Sequence, residues 1–222
     1  MKFIKTLVLA LTIPFTSLFA QLDEGHIVYD LKMESSDPEV EAQLAMVGGS
    51  SMEIFFKDQN VRQEMNIGTF QKTITITNAD DGKIISLIDG MMGKFATVID
   101  LDDESLEETE ELDVEIELVE GETKEVAGYT CKKAILIDED GNESVFWYTD
   151  EIVTLKNGGT MINDQIPGMP LEFSIVNPQV TMVLTAKEVN KKVKKAKKLF
   201  STEVPEGYEI RDLDELQKTM GQ

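Results

Sequence analysis

Val126-Ala127-Gly128-Tyr129-Thr130-Cys131-Lys132-Lys133-Ala134-Ile135-Leu136-Ile137-Asp138-Glu139-Asp140-Gly141-Asn142-Glu143-Ser144-Val145-Phe146-Trp147-Tyr148-Thr149-Asp150-Glu151-Ile152 is the stretch on which the fold turns. Tyr129, Cys131, Ile135 and Ile137 alternate with Thr130, Ala134 and Leu136, so the run is apolar on both faces. Asp138 to Asn142 supplies turn residues and Val145-Phe146-Trp147-Tyr148 runs back, which is the pattern of a β-hairpin. A sheet with one wet face places a polar residue at every second position. The upper half of this hairpin does not, which predicts interior strands with helices or a second layer over each face.

Upstream, five strand-like runs follow one another: Met52 to Lys57, Asn60 to Ile67, Lys72 to Thr77, Lys83 to Ile88 and Lys94 to Ile99. Connections as short as Asp58-Gln59 and Asp80-Asp81-Gly82 imply antiparallel neighbours. Before them, Gly25 to Met33 alternates as a half-buried strand. Ser36-Asp37-Pro38-Glu39 then sets a cap, a first-turn proline and an early acid; Val40, Leu44 and Val47 fall at helical spacing and Gly48 stops the helix. Asp100 to Asp113 holds nine acidic residues and no basic one, and reads as a solvated loop or frayed helix. Neither it nor Asp138 to Glu143 has the ligand spacing and central glycine of a calcium loop.

Downstream, Leu171 to Val176 and Val180 to Lys187 predict two last strands. From Lys187 to Phe200 the residues Val189, Val193, Ala196 and Phe200 fall on one helical face, with Lys191, Lys192, Lys194, Lys195, Lys197 and Lys198 around the remainder. This predicts a docked lid helix with a basic outer side. Asp212 to Met220 offers a weak final helix.

At the start, Lys2 and Lys5 stand at the head of an apolar run from Phe3 to Leu11, Pro14 follows, and the segment ends in Ser17-Leu18-Phe19-Ala20, the form of a secretory signal peptide cleaved near Ala20. The competing reading is a buried core helix. The segment is too short and wrongly flanked for a membrane span, and Gln21 rather than Cys follows the junction. Residues 21–222 then form a single domain, directed to the periplasm or secreted from a Gram-negative envelope. A formal charge of −21 argues against nucleic acid, whose phosphates require a basic face. The single cysteine, Cys131, cannot form an internal disulfide and reads as a small buried hydrophobe.

Nothing in the chain assembles into a catalytic motif. His26 is the only histidine and lies close to the predicted mature terminus, and no nucleophile elbow, phosphate-cradling loop or Cys/His metal spacing is present. The reading is therefore not an enzyme, with no catalytic residues, no metal and no cofactor.

Val126 to Lys133, Trp147-Tyr148-Thr149-Asp150, Ile166-Pro167-Gly168-Met169-Pro170-Leu171 and the Phe200 to Tyr208 ending together resemble the secreted family described as domain of unknown function 4412. That family implies no established activity and no catalytic residues. More remotely, the strand order is similar to the periplasmic lipoprotein carriers of the LolA type, which implies a strongly curved antiparallel sheet wrapped round helices and an apolar cavity for acyl chains. Arg62 is where the carriers' functional arginine would be sought, although its flanking residues do not match.

The expected fold is α+β: one strongly curved antiparallel sheet, a half-barrel, with helices packed on its concave face. Two functions compete. One is a carrier or sensor of a lipid, a lipoprotein acyl chain or another apolar ligand, with peripheral contact to the envelope membrane left open. Its candidate ligand-binding residues are Met91, Met92, Trp147, Met161, Met169 and Phe173, the methionines because unbranched thioethers adapt to irregular apolar partners. The other is a structural or protein-binding envelope module with a solid core.

Overall fold

Short turns decide the first half of the molecule. The computed structural model describes residues 21–103, 114–152, 166–176 and 179–212. Strand β1 (Glu24–Glu34) leads into helix α1 (Pro38–Val47), whose first turn is capped by the Asp37 carboxylate accepting from the N–H of Glu39 at 2.8 Å. Then come β2 (Ser50–Lys57), β3 (Asn60–Ile67), β4 (Gln71–Asn78), β5 (Lys83–Gly90) and β6 (Gly93–Asp100), each antiparallel to the one before. The second half repeats the device with β7 (Glu115–Val126), β8 (Tyr129–Ile137), β9 (Glu143–Thr149), β10 (Met169–Val176) and β11 (Thr181–Asn190). A one-turn helix α2 (Ala196–Leu199) and a two-residue β12 (Glu209–Ile210) complete the order.

All twelve strands make one sheet, in the order β12-β6-β5-β4-β3-β2-β1-β11-β10-β9-β8-β7. The two meanders are joined by the antiparallel pairing of β1 with β11, and β12 adds to β6 in parallel. The sheet does not close, since β12 and β7 are its edges. Its second half is nevertheless bent: β7 touches β11, which a flat sheet would hold about 19 Å away at ordinary strand spacing.

The central hairpin is interior, as its composition predicts. Only one of its faces is closed off, however: Ala134 and Phe146 are buried, whereas Ile135, Val145 and Trp147 on the other face are half-exposed. On that second face the Lys124 and Lys133 ammonium groups lie over the Trp147 ring, 5.7 and 5.9 Å from its centroid. The loop between β8 and β9 is closed by Asp138, whose carboxylate accepts from the backbone and side-chain N–H groups of Asn142, both at 2.8 Å.

One expectation is not shown and another is corrected. The layer of helices over the concave face is not seen among the described residues. No described side chain of α1 enters a buried cluster, and Val40, Leu44 and Val47 are only half-buried. Nor is Lys187 to Phe200 a lid helix. Val189 belongs to β11, opposite Ile27; the N–H of Val193 donates to Glu24 at 2.9 Å; Lys195 takes a left-handed φ of 57°; and only Ala196 to Leu199 is helical, with Phe200 buried behind it. Pairing with β1 wins because one bulge, between Val28 and Tyr29, lets β11 continue three residues past Lys187. The final helix expected from Asp212 onward lies outside the described residues, as does most of the acidic stretch 100–113.

Beyond β11 the chain forms a strap across the first meander. The Leu199 carbonyl accepts from Arg62 Nη1 at 3.1 Å, the Phe200 carbonyl accepts from Asn78 Nδ2 at 2.8 Å, and Thr202 Oγ1 donates to Asp81 at 2.7 Å. Val204 and Tyr208 then cover Ile74, Ile76, Ile85, Leu87 and Ala96, a second small core on one face of the first meander. We call this the strap face and the opposite one the core face.

Candidate functional site on the core face

Register fixes which side chains share the core face. Ile27 stands opposite Ile54, Tyr29 opposite Met52 and Gly25 opposite Phe56. Gly25 has no substitute here, because a Cβ would lie 2.6 Å from the Phe56 ring. On the other side of β1, Leu184 stands opposite Leu31, Phe173 opposite Leu184 and Phe146 opposite Phe173. Phe146 and Phe173 stack with centroids 5.5 Å apart, and Tyr29 meets Phe173 edge-on at 6.0 Å. The Tyr29 hydroxyl donates to the Pro170 carbonyl at 2.7 Å, and burial raises its pKa far above the usual phenol range. Ile152 and Ile166, at the two ends of the β9–β10 connection, bury in the same cluster. Cys131 is wholly buried there, its thiol pushed up to about 11, by burial first and by Glu125 next.

Beyond β2 the same face changes character. Gln63 stands opposite Ile54, Thr75 opposite Gln63, Ser86 opposite Thr75 and Thr97 opposite Ser86. Four uncharged polar side chains thus form one row across β3 to β6. Gln63 is 9% exposed and Thr97 3%, yet Gln63 Oε1 and Thr97 Oγ1 make no hydrogen bond. Rows on either side are mostly apolar: Met65, Thr73, Ile88 and Phe95 on one, Val61, Thr77, Ile84 and Ile99 on the other. Arg211 comes in at the far end, its backbone N–H donating to the Ala96 carbonyl at 2.9 Å. Its guanidinium lies 4.0 Å over the Phe95 ring and is forked onto Glu209, at 3.2 and 3.3 Å.

The residues named from sequence are scattered over the molecule. Met169 and Phe173 meet in the core cluster, 2% and 1% exposed. Trp147 is on the opposite face by alternation, opposite Glu172 and flanked by Lys124 and Lys133, with its edge against the cluster. Met91 and Met92 form the β5–β6 turn and are exposed, beside Phe70 and a polar cleft of about 430 Å³ lined by Asn66, Gln71 and Lys72. Met161 lies outside the described residues. Of the lid set, Val189 faces the core from β11, while Val193, Ala196 and Phe200 belong to the strap. Arg62 points to the strap face, bound to Glu64 at 2.7 Å and to Leu199. Of the strap lysines, Lys192 lies near Glu24, which also accepts from the N–H of Val193 and from Lys57. The polar row is absent from the sequence reading. Its signal was available, since residues eleven or twelve apart come into register once the tight turns are placed.

Among the described residues this face presents no nucleophile with a base. No group of three His, Cys, Asp or Glu side chains among the described residues could hold a metal ion.

Residues 31–166 match the family model described as Domain of unknown function (DUF4412). The chain belongs to that family. No curated protein matches its sequence. Among solved structures, an uncharacterized conserved protein from Thermus thermophilus is similar at 8% identity over 86% of this chain and 91% of that one, with a TM-score of 0.46. A chain of the Pseudomonas aeruginosa MucA/MucB complex is similar at 17% identity over 82% of this chain and 58% of that one, at 0.39. The Mycobacterium tuberculosis lipoprotein LppX is similar at 10% identity over 78% and 89%, at 0.35.

Proposed function

We propose that this member of the DUF4412 family is an exported, non-catalytic carrier or sensor that holds a lipid, a lipoprotein acyl chain or another apolar ligand against the core face of its sheet. The observation that carries the reading is the change in character across that face. Tyr29, Met52, Ile54, Phe56, Phe146 and Phe173 fill it on one side of β3, and on the other a row of smaller polar side chains, Thr75, Ser86 and Thr97, runs between rows that hold Val61, Ile84 and Ile99 and Met65, Ile88 and Phe95. Small side chains between apolar rows, with a few polar groups, make the ordinary lining of a small-molecule site. The leader-like Met1 to Ala20 stretch supports export. No helix among the described residues is long and apolar enough to cross a membrane.

One observation favours the second reading, a structural or protein-binding module: Tyr29, Phe56 and Phe173 are each less than 2% exposed, so that half of the face is solid. Native mass spectrometry of the protein purified from its own envelope separates the two. A carrier retains lipid-sized adducts and binds a fluorescent fatty acyl probe saturably. A clean mass for the chain beginning near Gln21, together with no probe binding, leaves the structural module.

A further inference from the structure

We infer that the ligand carries an uncharged, hydroxyl-bearing polar part, and that the Gln63–Thr75–Ser86–Thr97 row is the subsite that receives it. This rests on the carrier reading above and adds the chemical class.

Two buried oxygens in one row lack partners. A buried polar atom without a hydrogen bond forfeits its hydration and gains nothing in return, so a row kept only for packing would be apolar. Gln63 Oε1 is an acceptor only, and what satisfies it must bring an O–H or N–H. An ionised carboxylate, a plain ester or a hydrocarbon brings neither. Thr97 Oγ1 can both give and accept. At ordinary strand spacing the row is about 14 Å long, room for a glycerol-sized group to engage two or three members.

Charge points the same way. The row has no charged member, Lys72 and Lys94 lie on the strap face by alternation, and Arg211 at its end is already forked onto Glu209. Among the described residues, an anionic head buried here would have no free counter-charge. Apolar walls for the attached chain stand on both sides: Met65, Ile88 and Phe95 on one, Val61, Ile84 and Ile99 on the other.

The test uses the exported protein and three probes with one acyl chain, each competing with a fluorescent acyl reporter: monooleoylglycerol, methyl oleate and oleate. Monooleoylglycerol should bind tightest. Thr97→Val and Gln63→Met should each weaken it about three- to tenfold, the value of one neutral hydrogen bond, and Gln63→Met should leave methyl oleate, which brings no donor to Gln63 Oε1, unchanged. Thr97→Ser, which keeps the hydroxyl, should bind like the parent. Without ligand, Thr97→Val should melt at the parent's temperature or above it, because an unmade buried polar atom is gone. Preference for oleate, unchanged monooleoylglycerol affinity in both variants, or a Thr97→Val protein that melts well below the parent would each overturn the assignment, and binding of any of the probes would still leave the carrier standing. Failure of all three probes to bind removes the carrier reading itself.

Discussion

Replacing Phe173 by alanine asks whether the core face at β10 is solid or is a ligand wall. Phe173 is 1% exposed, stacked on Phe146 and met edge-on by Tyr29. Truncating a buried phenylalanine costs about 3–5 kcal/mol, and each aromatic pair adds about 0.5–1.5 kcal/mol beyond its buried area. With two such pairs the loss belongs in the upper part of the range, about 4–5 kcal/mol. That is a large share of the roughly 5–15 kcal/mol that holds a domain together. For a urea slope of about 2–3 kcal/mol/M it moves the midpoint down by roughly 2 M. Fluorescence of Trp147, the chain's single tryptophan, on the neighbouring strand, reports the transition. Phe173→Leu, which keeps most of the volume, should cost under about 1.5 kcal/mol. If Phe173→Ala loses less than about 1 kcal/mol at an unchanged slope, the ring stands beside open space and the packed-core argument fails.

Three further outcomes are expected. Cys131 should react slowly with a thiol reagent in the folded protein and rapidly in urea, since burial holds it as the thiol to about pH 11; fast labelling of the native state would contradict its burial. Burial acts to raise the Glu64 pKa, but hydrogen bonds from Lys72 and Arg62 outweigh it and set the carboxyl below its ordinary 4.5. Its contribution is therefore complete above that value and lost as pH falls through the lower folded one, so Glu64→Gln should destabilise the neutral protein and flatten the acid limb of a stability–pH curve. Ala127 opens the two-residue β7–β8 turn with a left-handed φ of 50°, and Gly128 comes next at 83°. Ala127→Asn should stabilise by about 0.5–1 kcal/mol in urea, because asparagine tolerates that conformation where alanine is strained.

Those two turn residues show where the sequence was and was not legible. Asp58-Gln59 and Asp80-Asp81-Gly82 carry ordinary turn chemistry, so the first meander could be read directly, as could α1 from its Asp37 cap and Pro38. Ala127-Gly128 lacks the usual asparagine or aspartate, and β7 before it alternates Ile116 and Leu118 with acids that are solvent-exposed on an edge strand. The charge hid the period of two. Val189 to Phe200 failed for a different reason: its helical spacing is real, but a strand bulge and the Glu24 hydrogen bond to Val193 are tertiary facts that local periodicity does not contain. Met91 and Met92 lie in the β5–β6 turn, and what they touch depends on the neighbouring hairpin. The polar row was hidden because it is a property of register across four strands, and no single strand displays it.

The seam between β1 and β11 has a consequence for how the chain is made. Every other antiparallel neighbour in the sheet is also next in sequence, whereas β1 must wait for the strand made after all the other long ones, with Glu34 finally facing Thr181. Loop-closure entropy rises only slowly with length, so the delay is chiefly one of synthesis order and barely one of thermodynamics. Emerging N-terminus first, the chain carries β1 as a raw, hydrogen-bond-hungry margin of a five- or six-stranded hairpin stack until β11 arrives. For that interval it offers a template to any other nascent copy. A slow or crowded synthesis should therefore misassemble through β1 before any other strand, a hazard that the finished sheet, with β1 at its middle, no longer displays.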